Sequence, residues 1–411
     1  MVKILHFADA HIDMVRQGVL DPDSGLPLRA MDFLKSLDTI VAAAINEKVD
    51  LVIFAGDAYR DRSPSPTYQR EWGRRMKRLS LAQIPTLLLT GNHDISPAQL
   101  KAHALQEYET LKPDFIHVAS KPGLLGPDDL NGVPVQVVAL PWVSRSGFAA
   151  TLNAEGDEGG DLTLELAAEI DGLLNAAISE LDPQLPTILA AHASVEGAKI
   201  GQERLIMIGR DVVLKPSLVK NKAFDYTALG HIHLFQDLNP GAQPPVVYPG
   251  SIERVDFGEA QDVKGFVIAE VSKGAARYEF RQLETRPYLD LRATLTDEQD
   301  VMEKLLAALP DEEALQGAMV RFTIAYPRQL EALIDDQRLR ERGRLALQFV
   351  ISKKPLDQAR GRIASDQETA TLTPLELLDL YWKENPLIGM DQERVHNLAS
   401  EIIRQVEEGE S

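Results

Sequence analysis

The chain has 411 residues, which at roughly 150 per domain makes two or three domains. It is 44% hydrophobic and 26% charged, which excludes whole-chain disorder, and no apolar run reaches the ~18 residues of a membrane helix. It has no cysteine and a net charge of −19, from 62 acidic against 43 basic residues, so disulfides, thiolate metal sites and cysteine nucleophiles are excluded. A polyanion could then be held only by a local basic field. The first residues, MVKILHFADAH, lack the charged-then-apolar design of a signal peptide, so a cytoplasmic location without membrane contact is expected.

Residues 2–7 form a short apolar run that predicts a buried strand, and apolar residues at helical spacing follow over 28–47. A second buried strand over 51–55 stops at Gly56-Asp57. After a helix near 67–81, a third strand over 85–90 stops at Gly91-Asn92. Strand, helix, strand, helix, strand at this spacing predicts an α/β unit with parallel pairing. Runs at 133–140, 187–191, 226–229, 246–248 and 266–271 continue it, and 155–161 reads as a surface loop. Past Leu283 the pattern changes to alternation: Leu289 to Leu295, Val320 to Ile324 and Leu345 to Ile351, with helical stretches near 297–309 and 329–341. This predicts a small second α/β domain over 286–353. A polar linker follows over 354–373, and then two short helices near 374–384 and 391–407 within a tail of 374–411. The last helix carries an apolar stripe, Val395, Leu398, Ala399, Ile402, Ile403 and Val406, suited either to its own domain or to a partner groove.

Five places share one property: potential metal ligands stand where an apolar strand stops. They are Asp9 and His11, Asp57, Asn92 with His93 and Asp94, His192, and His231 with His233. In open α/β sheets, sites form at the carboxyl ends of strands. Residues i and i+2 leaving a strand point the same way, so Asp9 with His11, and His231 with His233, can each aim at one point. The glycines before Asp57, Asn92 and His231 allow a sharp turn beside a crowded site. The set Asp9, His11, Asp57, Asn92, His192, His231 and His233 mixes oxygen and nitrogen without sulfur, which suits manganese, iron or zinc. Seven ligands exceed one tetrahedral shell. With one bridging carboxylate they make two shells of four, as in a two-metal site that holds a phosphate and stabilises both apical oxygens of an in-line displacement.

These motifs, in this order, resemble the calcineurin-like metallophosphoesterases. Residues 62–66, 192–198, 248–259 and 264–266 resemble more narrowly the SbcD nuclease subunit and its double-strand-break-repair relatives. The resemblance is close over 1–285 and holds for the rest by layout. It implies a core of two sheets flanked by helices, a cap domain over 286–353 that positions DNA, and a helical tail that docks on an SbcC-like coiled-coil ATPase. It also implies a homodimer and two divalent metal ions, with manganese as the usual metal. By resemblance Asp9, His11 and His233 hold one metal, Asn92, His192 and His231 hold the other, and Asp57 bridges. His93 binds neither and assists the leaving oxygen, a role an imidazole suits near neutral pH. The implied activity is a DNA exonuclease or endonuclease. Some relatives carry a histidine where this chain has Arg60, and arginine can hold phosphate but cannot act as an acid.

One segment departs from the overall charge. From Arg60 to Arg78, seven basic residues stand against two acidic ones. Arg60, Arg62 and Arg70 are the DNA-contact candidates there, and a solvated or dimer face is the plainer alternative. His6 is read as a histidine that either supports the ligands from behind or packs in the core, and Asp61 and Asp94 as loop and turn residues. Two other functions fit less of the sequence: a stand-alone phosphodiesterase or phosphatase for small phosphoesters, and a silent scaffold, whose mark would be missing ligands.

Overall fold

Unbroken apolar runs need cover on both faces, and the first part of the chain supplies it by stacking two sheets and laying helices outside them. In the computed structural model of the protein the described residues are 1–14, 18–95, 102–143, 162–199, 213–356, Leu375, Leu378, Trp382 and 392–407. The loop expected at 155–161 and nearly all of the linker and first tail helix expected at 354–384 lie outside them. Contacts divide the chain into Met1–Tyr288 and Leu289–Ser411.

In the first unit, Val2–Phe7 (β1), Leu51–Phe54 (β2), Thr86–Leu89 (β3) and Ile116–Ala119 (β4) run parallel. Gly265–Ser272 (β13) joins β1 antiparallel, and Ala275–Gln282 (β14) joins β13, giving the order β14-β13-β1-β2-β3-β4. The second sheet has Gly123–Leu125 (β5), Gln136–Leu140 (β6), Thr187–His192 (β7), Tyr226–Gly230 (β10), Gln236–Asp237 (β11) and Val246–Tyr248 (β12), in the order β11-β12-β10-β7-β6-β5. Its four central strands are parallel and its two edges antiparallel. Ser194–Val195 (β8) and Val213–Leu214 (β9) form a short separate ladder. The strands β4, β5 and β14 were not expected. All three lie on sheet edges, where short length or half-exposure weakens the apolar signal.

Side-chain alternation assigns each strand to two cores. Ile4, Ile53 and Leu87 meet Val137, Ile188 and Ala228 between the sheets. Leu5, Phe54 and Leu88 face Leu28–Asn46 (α1) and Pro66–Leu81 (α2). α2 starts on Pro66, whose fixed φ suits a first helical turn. It then lays Trp72, Met76 and Leu79 on the sheet, each at most 1% exposed. Truncating a buried residue such as Trp72 to Ala costs about 3–5 kcal/mol. His6 lies between the sheets as a packing residue, its ring bridging the Tyr226 hydroxyl and the Leu229 carbonyl at 3.1 Å each. In the second unit, Tyr288–Thr294 (β15), Met319–Pro327 (β16) and Gln348–Leu356 (β17) make a three-stranded sheet over a core that includes Leu305, Phe322 and Leu339. The last strand starts later than its alternation suggests, because Leu345 and Leu347 follow the turn after helix Asp336–Arg342. Gln392–Glu407 is helical, with Leu398 57% exposed.

Candidate metal centre

Phe7, Phe54 and Leu88 stand side by side in register, and Gly230 pairs with His192. The chain ends that leave these strands therefore arrive together. Two groups form there, each able to hold a metal ion: Asp9, His11 and His233, and Asp57, His192 and His231. Asp57 lies between them, with Oδ2 3.8 Å from His11 Nε2 and 3.4 Å from His192 Nε2. Asn92 joins the second group, its Oδ1 3.0 Å from His192 Nε2 and 2.9 Å from His231 Nδ1.

The proton positions decide what this cluster can accept. His11 Nδ1 donates to the Tyr59 carbonyl, His192 Nδ1 to the Ala55 carbonyl and His233 Nδ1 to the Glu259 carboxylate. In the neutral rings each Nε2 is then a lone pair. His11 Nε2 and His233 Nε2 face each other at 3.2 Å, and His192 Nε2 faces the oxygens of Asn92 and Asp57. Acceptors meeting acceptors call for a cation, and imidazoles whose other nitrogen is tied to a carbonyl or carboxylate are how proteins present metal ligands. The donor set fits a divalent metal at each group.

Without a metal, a proton takes the cation's place at His192. Burial pushes the Asp9 carboxyl up to about 7, against the pull of His192 and His233. Burial would raise Asp57 as well, but His192 and His11 outweigh it and hold that carboxyl far below the usual range. Burial brings His11 down to about 3, whereas at His192 it is overcome by Asp57 and the pKa rises to about 9.

The family described as calcineurin-like phosphoesterase matches residues 2–235. The chain belongs to the calcineurin-like phosphoesterases. "DNA double-strand break repair protein Mre11" of Archaeoglobus fulgidus is 24% identical to it, over 97% of this chain and 84% of that protein. Similar solved structures include a dimetal phosphatase from Danio rerio, at 12% identity and a TM-score of 0.41, covering 68% of this chain and 96% of that one. A purple acid phosphatase from yellow lupin seeds has 13% identity and a TM-score of 0.40, covering 68% and 51%.

The cluster is built under strain that spacing alone does not reveal. Asp9, His11, Asp57 and His231 have φ of 51°, 38°, 65° and 99°, left-handed conformations that cost about 1–3 kcal/mol each for such residues. Backbone bonds hold them: Asp9 N to the Gly56 carbonyl, Ala10 N and His11 N to the Asp57 carbonyl, and His231 N to the Asp9 carboxylate. The turn at His231 corrects one expectation. His231 and His233 do not aim at one point but enter different groups. The glycines also act differently from each other. Gly56 has φ of 99° and makes a turn, with His192 Nδ1 2.3 Å from where a Cβ would lie, whereas Gly91 serves by close approach alone: a Cβ there would lie 2.1 Å from Asp57 Oδ1.

His93 stands beside the first group, its ring 5.1 Å from that of His11. Its backbone N–H donates to Asp57 Oδ1 at 2.8 Å, and its Nδ1 donates to the Arg60 carbonyl at 2.8 Å. Asp94 is more than a turn residue. Fully buried, its carboxylate accepts from the N–H groups of Asp57, Ala58 and Gly91 and so ties two ligand loops together. Burial and the Asp57 charge push its pKa up to about 7. Glu259 and Trp142 carry no role that the sequence alone assigns. Trp142 leaves β6 at its carboxyl end, the signal that could have found it, and its ring lies 5.0 Å from that of His231. Arg60 and Arg62 are exposed and form no ion pair among the described residues, while Arg70 binds Glu71. No helix among the described residues is long and apolar enough to cross a membrane.

Proposed function

We propose that this phosphoesterase is a metal-dependent DNA nuclease of the SbcD type, cutting phosphodiester bonds in break repair together with an SbcC-like coiled-coil ATPase. The observation that carries the reading is the pair of acceptor groups meeting at Asp57 with His93 beside them. The choice of DNA over a small phosphoester is supported by the Archaeoglobus fulgidus relative. It is named for double-strand break repair, and it aligns over 97% of this chain, well past residue 235 where the family match ends.

In this reading Asp9, His11 and His233 hold one metal ion, Asn92, His192 and His231 the other, and Asp57 bridges. Manganese is the proposed metal. Two such ions supply Lewis acidity to a phosphate and to the water that attacks it. The chain's own groups do the rest. Asp94 and the strained turns keep the ligand loops at fixed separation before substrate arrives. His93 keeps Nδ1–H on the Arg60 carbonyl, so Nε2 is the nitrogen that passes a proton to the leaving oxygen. The unit after Leu289 would position DNA, the helix Gln392–Glu407 would dock on the ATPase, and two copies would pair in a cytoplasmic complex.

The test is cleavage of labelled DNA by the full chain with added manganese. His93→Ala should lose about 10²–10⁴-fold in rate while metal content by elemental analysis stays unchanged. A wild-type chain that hydrolyses small phosphodiesters but leaves DNA intact would sink the nuclease reading.

A further inference from the structure

Lys264 is the one lysine buried among the described residues, with its side chain 0% exposed. A buried ammonium is costly unless fully paired. Its Nζ lies 2.8 Å from Glu259 Oε2, donates to the His233 carbonyl at 3.0 Å, and has Asp262 Oδ2 at 3.5 Å. The other Glu259 oxygen, Oε1, accepts from His233 Nδ1 at 2.8 Å. Val255 N–H completes the hold on Oε2 at 3.0 Å. One lysine thus grips a single histidine twice, through its own carbonyl and through the carboxylate on its ring. His11 and His192 rest on plain carbonyls instead.

We propose that Lys264 and Glu259 form a positioning relay for the metal bound by Asp9, His11 and His233. Glu259 fixes the His233 tautomer so that Nε2 is the ligand atom, and a carboxylate on Nδ1–H makes that nitrogen a stronger donor. Lys264 fixes Glu259 and anchors the backbone that carries the ring. The second metal, held by Asn92, His192 and His231, takes nothing from this relay. The inference rests on the ligand assignment proposed above.

The test titrates manganese alone into the metal-free full chain, wild type, Lys264→Met, Glu259→Gln and the double variant, by calorimetry and electron paramagnetic resonance. Each single variant should weaken one of the two manganese ions by about 10–100-fold and leave the other. At one ion per chain the spectrum should be that of a lone manganese. Because both residues act through the one Lys264–Glu259 contact, and only the Lys264 hold on the His233 carbonyl is separate, the double variant should lose less than the sum of the two single losses. Glu259→Gln keeps size and shape, so it carries the test should Lys264→Met not fold. Two manganese sites of wild-type affinity in Glu259→Gln would overturn the relay, as would losses that add in the double variant. A wild-type chain that binds no manganese would overturn the ligand assignment instead.

Discussion

Two regions concentrate polar groups in the sequence, and the fold treats them in opposite ways. At the strand ends, Asp9, Asp57 and five other residues are packed together, with acceptor facing acceptor where His11 Nε2 meets His233 Nε2 at 3.2 Å. Asp57 pairs with His192, and the facing nitrogens of His11 and His233 stay open to a cation. In the segment from Arg60 to Arg78 most of the guanidinium groups are engaged, four of them by two carboxylates. Glu71 takes Arg70, Arg74 and Arg75, and Asp38, on α1, takes Arg75 and Arg78. Local density of one charge therefore says little about function until its partners are known. What counts is whether the fold leaves the groups unsatisfied.

The largest effect should come from removing the group on which the first region turns. Asp57 lies near histidines of both groups and takes the His93 N–H. Asp57→Ala should cost both metal ions and bring DNA cleavage to background, where His93→Ala costs activity alone. Elemental analysis that finds two tightly bound ions in Asp57→Ala would break the account of a shared carboxylate.

An intermediate effect concerns protons. In the metal-free chain Asp9 sits at about 7, raised by burial, and His192 at about 9, raised by Asp57 despite burial. Both groups bind more protons folded than unfolded. Asp9 thus contributes stability that is whole below about 4 and lost as pH climbs through about 7, and His192 contributes stability lost as pH climbs through about 9. Metals must displace these protons, so affinity should rise with pH. The melting temperature of the metal-free chain should therefore fall between about pH 6 and pH 8 relative to the metal-loaded chain, and the gap should widen. Scanning calorimetry that shows a narrowing gap would mean that protons and metals do not compete here.

How much of this was legible follows from which signals are local. Strand ends are local: an apolar run that stops at Gly56-Asp57 or Gly91-Asn92 announces both a strand and a ligand, and so the parallel α/β pattern and all seven candidate ligands could be named from the sequence, while the two-sheet core came from the family resemblance. The groups that orient them are not local. Glu259 reaches His233 across 26 residues, and Tyr59 offers His11 a backbone carbonyl, which no side-chain pattern records. Asp94 looked like a turn residue because its three partners are backbone N–H groups from two loops. The spacing argument for His231 and His233 failed for a backbone reason, since the strand ends at Gly230 and the chain turns at His231, where φ is 99°. Edge strands such as β14 went unseen because half-exposure dilutes the apolar run.

The smallest effect tests the second region. If charges already held by Glu71 are spent, only Arg60, Arg62 and Lys77 of the segment remain to meet a phosphate backbone, since these form no ion pair among the described residues. Each phosphate that a variant no longer neutralises should lower the slope of log affinity against log salt by about 0.7–0.9. Arg62→Ala should therefore weaken DNA binding a few-fold, equally across sequences, and flatten the salt dependence by about that amount. Arg70→Ala and Arg74→Ala should change both less, because Glu71 holds each of these guanidinium groups and is left to pair with the remaining ones; their cost should appear chiefly as a drop in helix stability of no more than about 1 kcal/mol. Binding titrations over a range of salt concentrations separate the two classes. Equal effects of Arg62→Ala and Arg70→Ala would show that the segment acts as one field after all, with Glu71 released when DNA arrives.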